Sequence, residues 1–399
     1  MSKPLRVLSI AHTAVLREAG RLRYHPLAGD DALEVRVVAP ARWHQFGRWY
    51  AADPPDDGIA MSILPVRLPR AGPASWYLHS YAGLGAVVRG FAPEVIHLWE
   101  EPWSVVALQA AVLARRSGAA LVLEVDQNIL KSLPPPFGWI RRHVLRRTSL
   151  ILSRSPAATD VVRACGFTGP AMPIGYGVDE AVFRPGPPPP PAPPLHIGYV
   201  GRIVPEKGLD DVLDAMAMAR SEVRLSILGE GPHEPALRQR AERLRLTERV
   251  RFHPWGGATD VADFLRQLHV LVLPTRTGPA VKEQFGRVII EAQACGIPVI
   301  GSASGAIPDV LGRGGWVIPE HDPAALAALL DHVAAAPDAL LARGRAGRRN
   351  VETRFTYQAV AQSLAQGWLR AASLRGAPAV QEPRPSKSGP NGMAGAEQA

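Results

Sequence analysis

A proline-rich run near the middle of the chain divides the sequence into two parts. It starts at Arg184-Pro185-Gly186 and continues through Pro187–Pro194, where every residue except Ala192 is proline. Proline fixes its φ angle and has no backbone N–H, so this run fits neither a helix interior nor a sheet. It forms a semi-rigid, extended connector. We therefore predict an interdomain linker over residues 186–194, with a domain on each side in a chain of 399 residues.

Short apolar segments alternate with amphipathic segments on both sides of this linker. In the first part, strands are predicted at Leu5–Ile10, Val35–Val38, Val95–Leu98, Leu121–Val125 and Leu150–Ser153, and helices at Val105–Arg116 and Ile140–Arg147. In the second part, strands are predicted at Leu195–Val200, Val223–Leu228, Val250–Phe252, Val270–Leu273 and Val299–Gly301, and helices at Leu209–Met218, Glu234–Leu244, Val261–Leu268 and Val288–Cys295. Apolar strands separated by helices are typical of parallel sheets with right-handed crossovers. We predict an α/β protein with two Rossmann-like domains, residues 1–185 and 195–355, and a ligand site in the cleft between them.

The end of the chain carries a different pattern. We predict that residues 356–375 form a helix that packs back across the domains. The composition from Gly376 onward predicts a disordered tail over residues 376–399.

No apolar run in the sequence reaches the roughly 20 residues that span a bilayer. Leu5–Ile10 is too short for a signal peptide, and Cys165 and Cys295 predict neither a disulfide framework nor a metal cluster. We therefore expect a cytoplasmic protein.

The chain carries a formal net charge of +9 at pH 7. Such a charge favours anionic partners such as nucleotide phosphates or anionic lipid. The alternative explanation of this charge is codon composition. High-GC coding favours Ala, Gly, Pro and Arg, and the arginines raise the net charge without implying a binding partner. The sequence contains no nucleic-acid recognition module, so we do not expect nucleic acid as a partner.

A glycine-rich loop with two cations follows the first strand of the second domain. It runs Gly201-Arg202-Ile203-Val204-Pro205-Glu206-Lys207-Gly208. Arg202 and Lys207 can both reach one anionic group, such as a diphosphate, at the strand end. A second strand end, Gly229-Glu230-Gly231-Pro232, is suited to wrapping a flat ligand edge. The alternatives are a solvated basic loop for the first segment and a plain turn for the second.

The most specific segment contains two glutamates. It reads Glu283-Gln284-Phe285-Gly286-Arg287 and leads to Glu291. If the chain is helical from Gly286, the backbone N–H groups near Gly286 and Arg287 can bind an anion. Glu283 can accept hydrogen bonds from sugar hydroxyls beside that anion. Glu291, about a turn and a half along the helix, can contact a ribose.

These segments, together with Ser304-Gly305-Ala306-Ile307-Pro308, resemble the retaining glycosyltransferases of family 4, which have the GT-B fold. The resemblance covers the second domain almost completely and the first domain more loosely. It implies two Rossmann-like domains that face a central cleft. In the donor site it implies that Arg202 and Lys207 hold the diphosphate, that Glu283 contacts the transferred sugar and that Glu291 contacts the ribose. The further donor-binding residues are Gly201, Gly229, Phe285, Gly286 and Arg287. No metal ion is implied, because the two cations and a helix end do what a divalent ion does elsewhere. No other cofactor is implied either, since the nucleotide sugar is itself a substrate.

The first domain departs from the family pattern in two places. The loop Ala11–Gly20, after the first strand, lacks the paired glycine of many members. Asp126 stands where many members carry a His, after the strand Leu121–Val125. We assign Asp126 as a candidate catalytic residue, with a helix N-cap or turn residue as the alternative.

Three further residues are placed on the acceptor side of the cleft. They are His12, Glu101 and Asn128. Glu101 precedes Pro102 at a predicted helix start. His97, in contrast, lies in an apolar strand and is expected to be a packed structural residue.

One basic segment is a candidate for membrane contact. In Pro136–Arg147, the residues Phe137, Ile140, Val144 and Leu145 can form one apolar face, with arginines around it. This pattern predicts either an amphipathic helix on an anionic membrane or an ordinary core helix with solvated arginines. Peripheral contact with the inner membrane face is therefore a hypothesis.

The predicted reaction moves a sugar from a UDP- or GDP-sugar to a hydroxyl of a glycan or lipid-linked acceptor, with retention of configuration. The expected context is polysaccharide or glycoconjugate biosynthesis. Two alternatives stay open at this point. One is a non-catalytic scaffold that binds nucleotide sugars, and the other is a sugar-nucleotide epimerase on the same fold.

Overall fold

The computed structural model describes residues 3–45, 48–56, 58–67, 76–187 and 192–375. Residues 188–191 of the predicted linker and the predicted tail, residues 376–399, lie outside the described residues. Two large parallel sheets, each covered by helices, make up most of the described chain. The prediction of two Rossmann-like α/β domains is confirmed.

The first sheet is built from the first part of the chain. Its elements and those around it are β1 (Leu5–Ala11), β2 (Leu33–Pro40), β3 (Arg42–Gln45), β4 (Arg48–Ala51), β5 (Ala60–Leu64), β6 (Val66–Arg67), β7 (Ser80–Tyr81), α1 (Leu84–Phe91), β8 (Val95–Trp99), α2 (Val105–Ser117), β9 (Ala120–Val125), α3 (Phe137–Leu145), β10 (Thr148–Ser153), α4 (Pro156–Ala164) and β11 (Ala171–Pro173). Among the described residues, seven of these strands form a parallel sheet in the order β11-β10-β9-β8-β1-β2-β5. The pairs β3-β4 and β6-β7 are small antiparallel hairpins.

The second sheet follows the linker. Its elements are β12 (Leu195–Val200), α5 (Leu209–Met218), β13 (Val223–Leu228), α6 (Glu234–Arg243), β14 (Val250–His253), α7 (Ala258–Leu265), β15 (Val270–Leu273), α8 (Arg287–Ala294), β16 (Val299–Ser302), α9 (Ile307–Leu311), β17 (Gly315–Ile318), α10 (Pro323–Ala335), α11 (Pro337–Arg354) and α12 (Tyr357–Ser373). Within the described chain the order is β14-β13-β12-β15-β16-β17. The strand order reverses between β12 and β15, and ligands of such sheets bind at the carboxyl ends of the strands beside that reversal.

The chain crosses between the two domains at two adjacent places. On the way out it passes through Gly175-Tyr176-Gly177, and on the way back through Phe355 and Thr356. The N–H of Val178 donates to the carbonyl of Phe355 at 2.8 Å, and Val178 forms a parallel bridge with Thr356. A Cβ on Gly175 would lie 2.5 Å from the Phe355 ring, so the crossing requires glycine there.

This crossing shows that the predicted domain boundary at residue 185 is too late. Val178 and Phe183 already belong to the core of the second domain. Arg266 holds this segment on the second domain, because its guanidinium donates to the carbonyls of Val182 at 3.2 Å and Arg184 at 3.4 Å. The proline run is the strongest break in the sequence. The chain has already crossed into the second domain, at Gly175-Tyr176-Gly177, before this run begins.

The last described helix returns to the first domain. The side chain of Thr356 caps α12 by accepting from the N–H of Ala359 at 3.0 Å. Val360, Leu364 and Trp368 then pack into the core on one face of the first sheet, and Trp368 is 0% exposed. The first domain is therefore completed by residues that follow the second.

A folded segment replaces the loop that follows β1. Residues His12–Val15 and Leu22–Leu27 form 3₁₀ turns, and Arg17–Arg21 forms one turn of π-helix. The buried guanidinium of Arg21 organises the segment by donating to the carbonyls of Ala14 at 2.6 Å, Pro54 at 2.6 Å and Asp53 at 2.8 Å. Four carbonyls, including that of Val15 at 3.2 Å, satisfy this buried charge.

No single helix in the described ranges is long and apolar enough to cross a membrane. The pair Pro323–Ala335 and Pro337–Arg354, bent by 101°, passes the same test of length and composition when its two helices are taken together.

We predict that Trp368→Ala destabilises the first domain by about 3–5 kcal/mol, because it leaves a large cavity against the sheet. Leu369→Ala, whose side chain is 48% exposed, is the matched control one residue along the same helix. It should change stability by less than about 0.5 kcal/mol. Urea unfolding of both variants measures the difference, and equal effects would contradict the docking of α12.

Candidate functional site

A cavity of about 830 Å³ lies between the two domains. The second domain lines it with residues from the ends of β12 and β15 and from the start of α8. The first domain lines it with Leu16, Arg17, Glu18, Ala19 and Leu22 from the segment after β1, and with Asp53. A cavity of this size at the carboxyl ends of parallel strands is the expected place for a small-molecule ligand.

The loop after β12 reaches this cavity with both of its predicted cations. Gly201, Arg202 and Lys207 line the cavity. Gly201 has a φ of 150° and Gly208 a φ of 69°, and a Cβ on Gly208 would lie 2.1 Å from the carbonyl oxygen of Pro274. The two glycines therefore allow a tight turn that places the cations at the end of the strand.

Gly229 has a different position from the one predicted. A Cβ on Gly229 would lie 1.9 Å from the carbonyl oxygen of Gly201, and Gly229 does not line the cavity. The glycine is needed because the loop after β13 packs directly behind the loop after β12. Its contribution to a ligand site is indirect.

Glu283 sits in the cavity wall and is held by its side chain and its backbone. One carboxylate oxygen accepts from Lys207 Nζ at 2.5 Å and from Thr275 Oγ1 at 3.1 Å. Its carbonyl oxygen accepts from the N–H of Ala306 at 3.0 Å and from Asn128 Nδ2 at 2.7 Å. A Cβ on Gly305 would lie 2.0 Å from that carbonyl oxygen, so glycine is required beneath it.

Helix α8 points its amino-terminal end into the cavity. Gly286 precedes the helix with a φ of 80° and provides no side-chain cap. Gly286, Arg287 and Val288 line the cavity, so the unpaired N–H groups of the first turn and the positive end of the helix face it. Glu291 also lines the cavity. Burial raises the pKa of Glu291, and the nearby Arg287 acts in the opposite direction.

Phe285 is the donor-site residue whose side chain faces away from the cavity. It is buried, and its ring contacts those of Tyr176 at 4.9 Å and Phe355 at 5.6 Å between centroids. Phe285 therefore fixes the start of α8 against the two interdomain crossings.

Asp126 does not line the interdomain cavity. Its two carboxylate oxygens accept from Arg154 Nε at 2.8 Å and Trp99 Nε1 at 3.2 Å. The next helix, α3, begins only at Phe137, so the alternative interpretation as an N-cap is wrong. Asp126 belongs to a polar cluster at the carboxyl end of β9.

The centre of this cluster is Glu124, which is fully buried. Its carboxylate accepts from Arg154 and from Arg23 Nη1 at 2.7 Å and lies 3.2 Å from His97 Nε2. Burial alone would raise the pKa of Glu124, but Arg154 and Arg23 outweigh burial and hold that pKa well below its usual range. Nδ1 of His97 lies 2.8 Å from Ser9 Oγ, which confirms the prediction of a packed structural histidine.

The three residues predicted on the acceptor side have three different positions. His12 stacks on Trp43 with 4.8 Å between ring centroids, and its Nδ1 lies 3.2 Å from a Glu100 oxygen. Glu101 is buried behind the loop after β9. Asn128 reaches across the cleft to the carbonyl of Glu283. None of the three lines the interdomain cavity as the structure describes it.

Glu101 holds the loop that carries Asp126. One of its carboxylate oxygens accepts from the N–H groups of Asp126 and Gln127, both at 2.8 Å. Burial and the nearby Asp126 raise the pKa of Glu101 to about 8. Because the bonded oxygen must accept two N–H groups, the proton of the neutral form sits on the other oxygen.

Several cavity residues escape prediction from the sequence. They are Arg17, Glu18, Asp53, Asp179, Trp255 and Tyr357. The side chain of Trp255 is 57% exposed at the cavity edge and is followed by Gly256-Gly257. The sequence analysis selected Gly229 because glycines follow a predicted strand there. Glycines also follow β14, so the same criterion would have selected the loop that carries Trp255.

The apolar face predicted for membrane contact is part of the first core. Ile140, Val144 and Leu145 of α3 are buried there. The exposed Trp139 stacks on His143 with 4.9 Å between ring centroids. The interpretation as a core helix is correct, and the predicted membrane-facing side of this helix is wrong.

In the part of the chain that the structure describes, no group of three or more His, Cys, Asp or Glu residues is arranged to hold a metal ion.

Residues 187–350 match the model of the glycosyl transferases group 1 family, which confirms the predicted resemblance for this part of the chain. The narrower assignment to family 4 stays a prediction. A D-inositol 3-phosphate glycosyltransferase of Streptomyces avermitilis is 35% identical over 187 residues, which cover 43% of this chain and 39% of that protein. A glycogen synthase of Mycobacterium tuberculosis is 27% identical over 368 residues, covering 87% of this chain and 83% of that protein. The chain spans between 39% and 50% of the length of the inositol phosphate glycosyltransferases that it matches.

Solved structures resemble most of the chain. Sucrose-phosphate synthase from Thermosynechococcus elongatus superposes with a TM-score of 0.66 at 18% identity, covering 92% of this chain and 99% of that one. Anabaena Alr3699/HepE in complex with UDP superposes with a TM-score of 0.65 at 16% identity, covering 91% of this chain and 98% of that one. At these identities the likeness shows the fold alone, and the predicted GT-B fold is confirmed.

The raised pKa of Glu101 has a consequence for stability. Between the ordinary value of 4.5 and about 8, the folded chain keeps a proton that the unfolded chain has lost. The contribution of Glu101 to the free energy of unfolding therefore falls as the pH rises through this window. Glu101→Gln keeps the accepting oxygen and removes the titration, so we predict that its stability relative to the wild type increases from about pH 5 to about pH 8. Chemical unfolding of both proteins across this range measures the trend, and a difference that does not change with pH would contradict it.

Proposed function

We propose that this chain is a retaining glycosyltransferase that takes a UDP- or GDP-sugar as its donor. The observation that carries the proposal is the contact between Lys207 and Glu283, which lies in the cavity wall beside the open amino-terminal end of α8. A cation, a carboxylate and a set of backbone N–H groups at one point can bind a diphosphate and a sugar hydroxyl together. This combination matches a nucleotide sugar.

The proposed donor lies along the second-domain wall. Its diphosphate is bound by Arg202, Lys207 and the first N–H groups of α8, and its ribose by Glu291. The transferred sugar is bound by Glu283, whose second carboxylate oxygen has no hydrogen bond to a described residue. The exposed indole of Trp255 at the cavity edge offers a flat surface for the base.

The proposed catalysis depends on stabilising the negative charge that develops on the departing diphosphate. As the bond from sugar to phosphate lengthens, negative charge builds up on the departing diphosphate and the sugar gains oxocarbenium character. Arg202, Lys207 and the α8 N–H groups are fixed before reaction, so they stabilise that charge with little reorganisation. We propose that these groups make a metal ion and any further cofactor unnecessary.

The acceptor is proposed to enter from the first-domain wall. Arg17, Glu18 and Asp53 line that wall and offer both charges and hydrogen-bonding groups to a glycan or lipid-linked hydroxyl. Asp126 is bonded to Arg154 and Trp99, so its predicted catalytic role requires it to act through this cluster. The proposed location is cytoplasmic. Peripheral contact with the inner membrane face would need a surface other than the buried face of α3, and vesicle binding tests it.

The structural comparisons support the UDP branch of the proposal. The solved structures of Alr3699/HepE include complexes with UDP and with UDP-glucose, and that protein shares the fold of this chain. A thermal-shift screen of UDP-, GDP-, ADP- and CMP-sugars identifies the donor. Isothermal titration of UDP and GDP, with a donor-turnover assay, then separates a transferase from a scaffold that binds without turnover. Formation of an epimerised sugar from the donor alone would identify an epimerase.

Lys207→Ala and Glu283→Gln test the donor site. Each should lower turnover by about 10²–10³-fold, because each removes a fixed charge from the reacting centre. Arg238→Ala is the control, since Arg238 pairs with Glu234 at 2.7 Å on an exposed helix surface. Full activity in either cavity variant, with the control also active, would contradict the assignment.

Asn128→Ala tests the contact across the cleft. Loss of the 2.7 Å hydrogen bond to the Glu283 carbonyl should lower kcat about 10–100-fold, because it lets the Glu283 backbone shift. Nucleotide affinity measured by titration should stay within about threefold, since the diphosphate groups are untouched. Asn350→Ala is the matched control, as Asn350 donates to Gln293 at 2.8 Å and to the Val310 carbonyl at 2.9 Å within the second domain. The control should lose stability but keep kcat, and an equal loss of kcat in both variants would contradict the coupling.

A further inference from the structure

A second cavity, of about 400 Å³, lies in the second domain and shares no lining residue with the interdomain cavity. It lies mainly against the first residues of β12, β13 and β14. Gly201 and Gly229, which follow β12 and β13, are at the opposite end of these strands. The cavity is therefore separated from the donor site by the length of the sheet.

The lining of this cavity is strongly basic. Three arginines and three histidines face it with a single carboxylate, Glu248, among the described lining residues. The basic residues are Arg224, Arg249, Arg251, His196, His253 and His269. Its size falls in the range of small-molecule pockets.

The strand register places Arg224 and Arg251 as diagonal neighbours on one face of the sheet. His196 pairs with Arg224 across β12 and β13, and Ser226 pairs with Arg251 across β13 and β14. Side chains alternate along a strand, so Arg224 and Ser226 face the same side and their partners face it too. Like charges on neighbouring strands are destabilising when nothing compensates them.

Little in the described chain compensates these charges. Arg224 pairs with Glu222 at 3.1 Å, but both side chains are about half exposed, and such pairs contribute little. No described residue makes a side-chain hydrogen bond or ion pair with Arg249 or Arg251. The guanidinium donors of these two residues are therefore available to a ligand.

The histidines are held in defined positions at the base of the cavity. His196 Nδ1 donates to the carbonyl of Gln267 at 3.0 Å, and its Nε2 lies 2.8 Å from Ser226 Oγ. Nδ1 of His269 accepts from the backbone N–H of His196 at 2.8 Å. Burial lowers the pKa of His196, the hydrogen bond to the Gln267 carbonyl acts in the opposite direction, and the nearby His269, His253 and Arg224 lower it further.

An edge strand such as β14 often carries charged side chains that prevent pairing with other chains. Charges of either sign on a convex edge serve that purpose. Here the charged residues around the concavity are three arginines and one glutamate, Glu248, and edge protection does not require such an excess of one sign in a concavity. One guanidinium group can donate two parallel hydrogen bonds to two oxygens of a phosphate. Clustered arginines in a pocket therefore match a phosphorylated ligand.

We propose that this cavity is a second anion site, separate from the donor site, for a small soluble ligand with a phosphate group that carries two or more negative charges. Arg224, Arg249 and Arg251 bind the phosphate oxygens, and Ser226 lies beneath them. The site shares no lining residue with the interdomain cavity, so variants of one cavity leave the lining of the other unchanged.

Inorganic pyrophosphate is the probe, and isothermal titration at low salt is the measurement. The variant Arg202→Ala/Lys207→Ala weakens pyrophosphate binding in the interdomain cavity, where Arg17, Arg287 and the first N–H groups of α8 remain. The second site is therefore reported by the part of the remaining binding that responds to Arg224 and Arg251. Adding Arg224→Ala/Arg251→Ala to that background should weaken the remaining affinity at least about tenfold. Arg142→Ala/Arg146→Ala in the same background is the control, because it removes the same charge from exposed positions on and beside α3.

Saturable binding that survives in the interdomain-cavity variant and in the control, but is lost with Arg224 and Arg251, supports the site. Circular dichroism and thermal unfolding check that the variants are folded, and Arg251→Glu provides a single charge reversal with the same expected loss. Absence of saturable binding in the interdomain-cavity variant would overturn the proposal. So would an equal loss in the control, or binding to phosphatidylglycerol vesicles without binding to pyrophosphate.

Discussion

The contact between the two interdomain crossings is the constraint on which the rest of the molecule depends. Val178 and Thr356 lie side by side, so the chain leaves the first domain and returns to it at nearly the same point. Gly175 and Gly177 are required there because the rings of Phe355 and Tyr357 occupy the space of a side chain. Phe285 packs against Phe355 and Tyr176, which ties the start of α8 to the same point. The two walls of the cleft are thereby positioned from one small region.

The two domains organise charge in different ways. In the second domain, Arg202 and Lys207 lie at the cavity wall on a loop after a strand, and Lys207 contacts Glu283 there. In the first domain, Arg21, Arg23 and Arg154 are buried; Arg21 donates to carbonyls, and Arg23 and Arg154 both pair with Glu124. Removing one partner from such a buried set leaves an unpaired charge, which is much more destabilising than losing an exposed pair. The cavity residues of the first-domain wall are carried on a segment that the buried guanidinium of Arg21 holds through carbonyl hydrogen bonds.

The sequence allowed more of the second domain to be predicted than of the first. Strand positions follow from apolar runs, and Arg202, Lys207, Glu283 and Glu291 are at strand ends or a helix start, where local pattern decides their position. The first-domain wall depends on contacts between distant residues. Arg17 and Glu18 line the cavity because a π-helix forms around Arg21 and Asp53, and no local pattern indicates that turn. Glu101 accepts from the N–H of Asp126, 25 positions away, and Asn128 donates to the carbonyl of Glu283, 155 positions away. Such long-range contacts are visible only in the folded chain. The early crossing at Val178 escapes prediction because the proline run is a stronger local signal than a pair of glycines.

Because α12 returns to the first sheet, the two domains are completed in a fixed order during translation. A ribosome completes β1 to β11 long before it makes Val360, Leu364 and Trp368, so one face of the first sheet waits without its covering helix while the whole second domain is made. The second domain, whose core elements run without interruption from Val178 to Phe355, can close its own core in the meantime. The domain that begins the chain is thus the last to be finished. During that interval its exposed apolar face is the part of the molecule most in need of protection from aggregation.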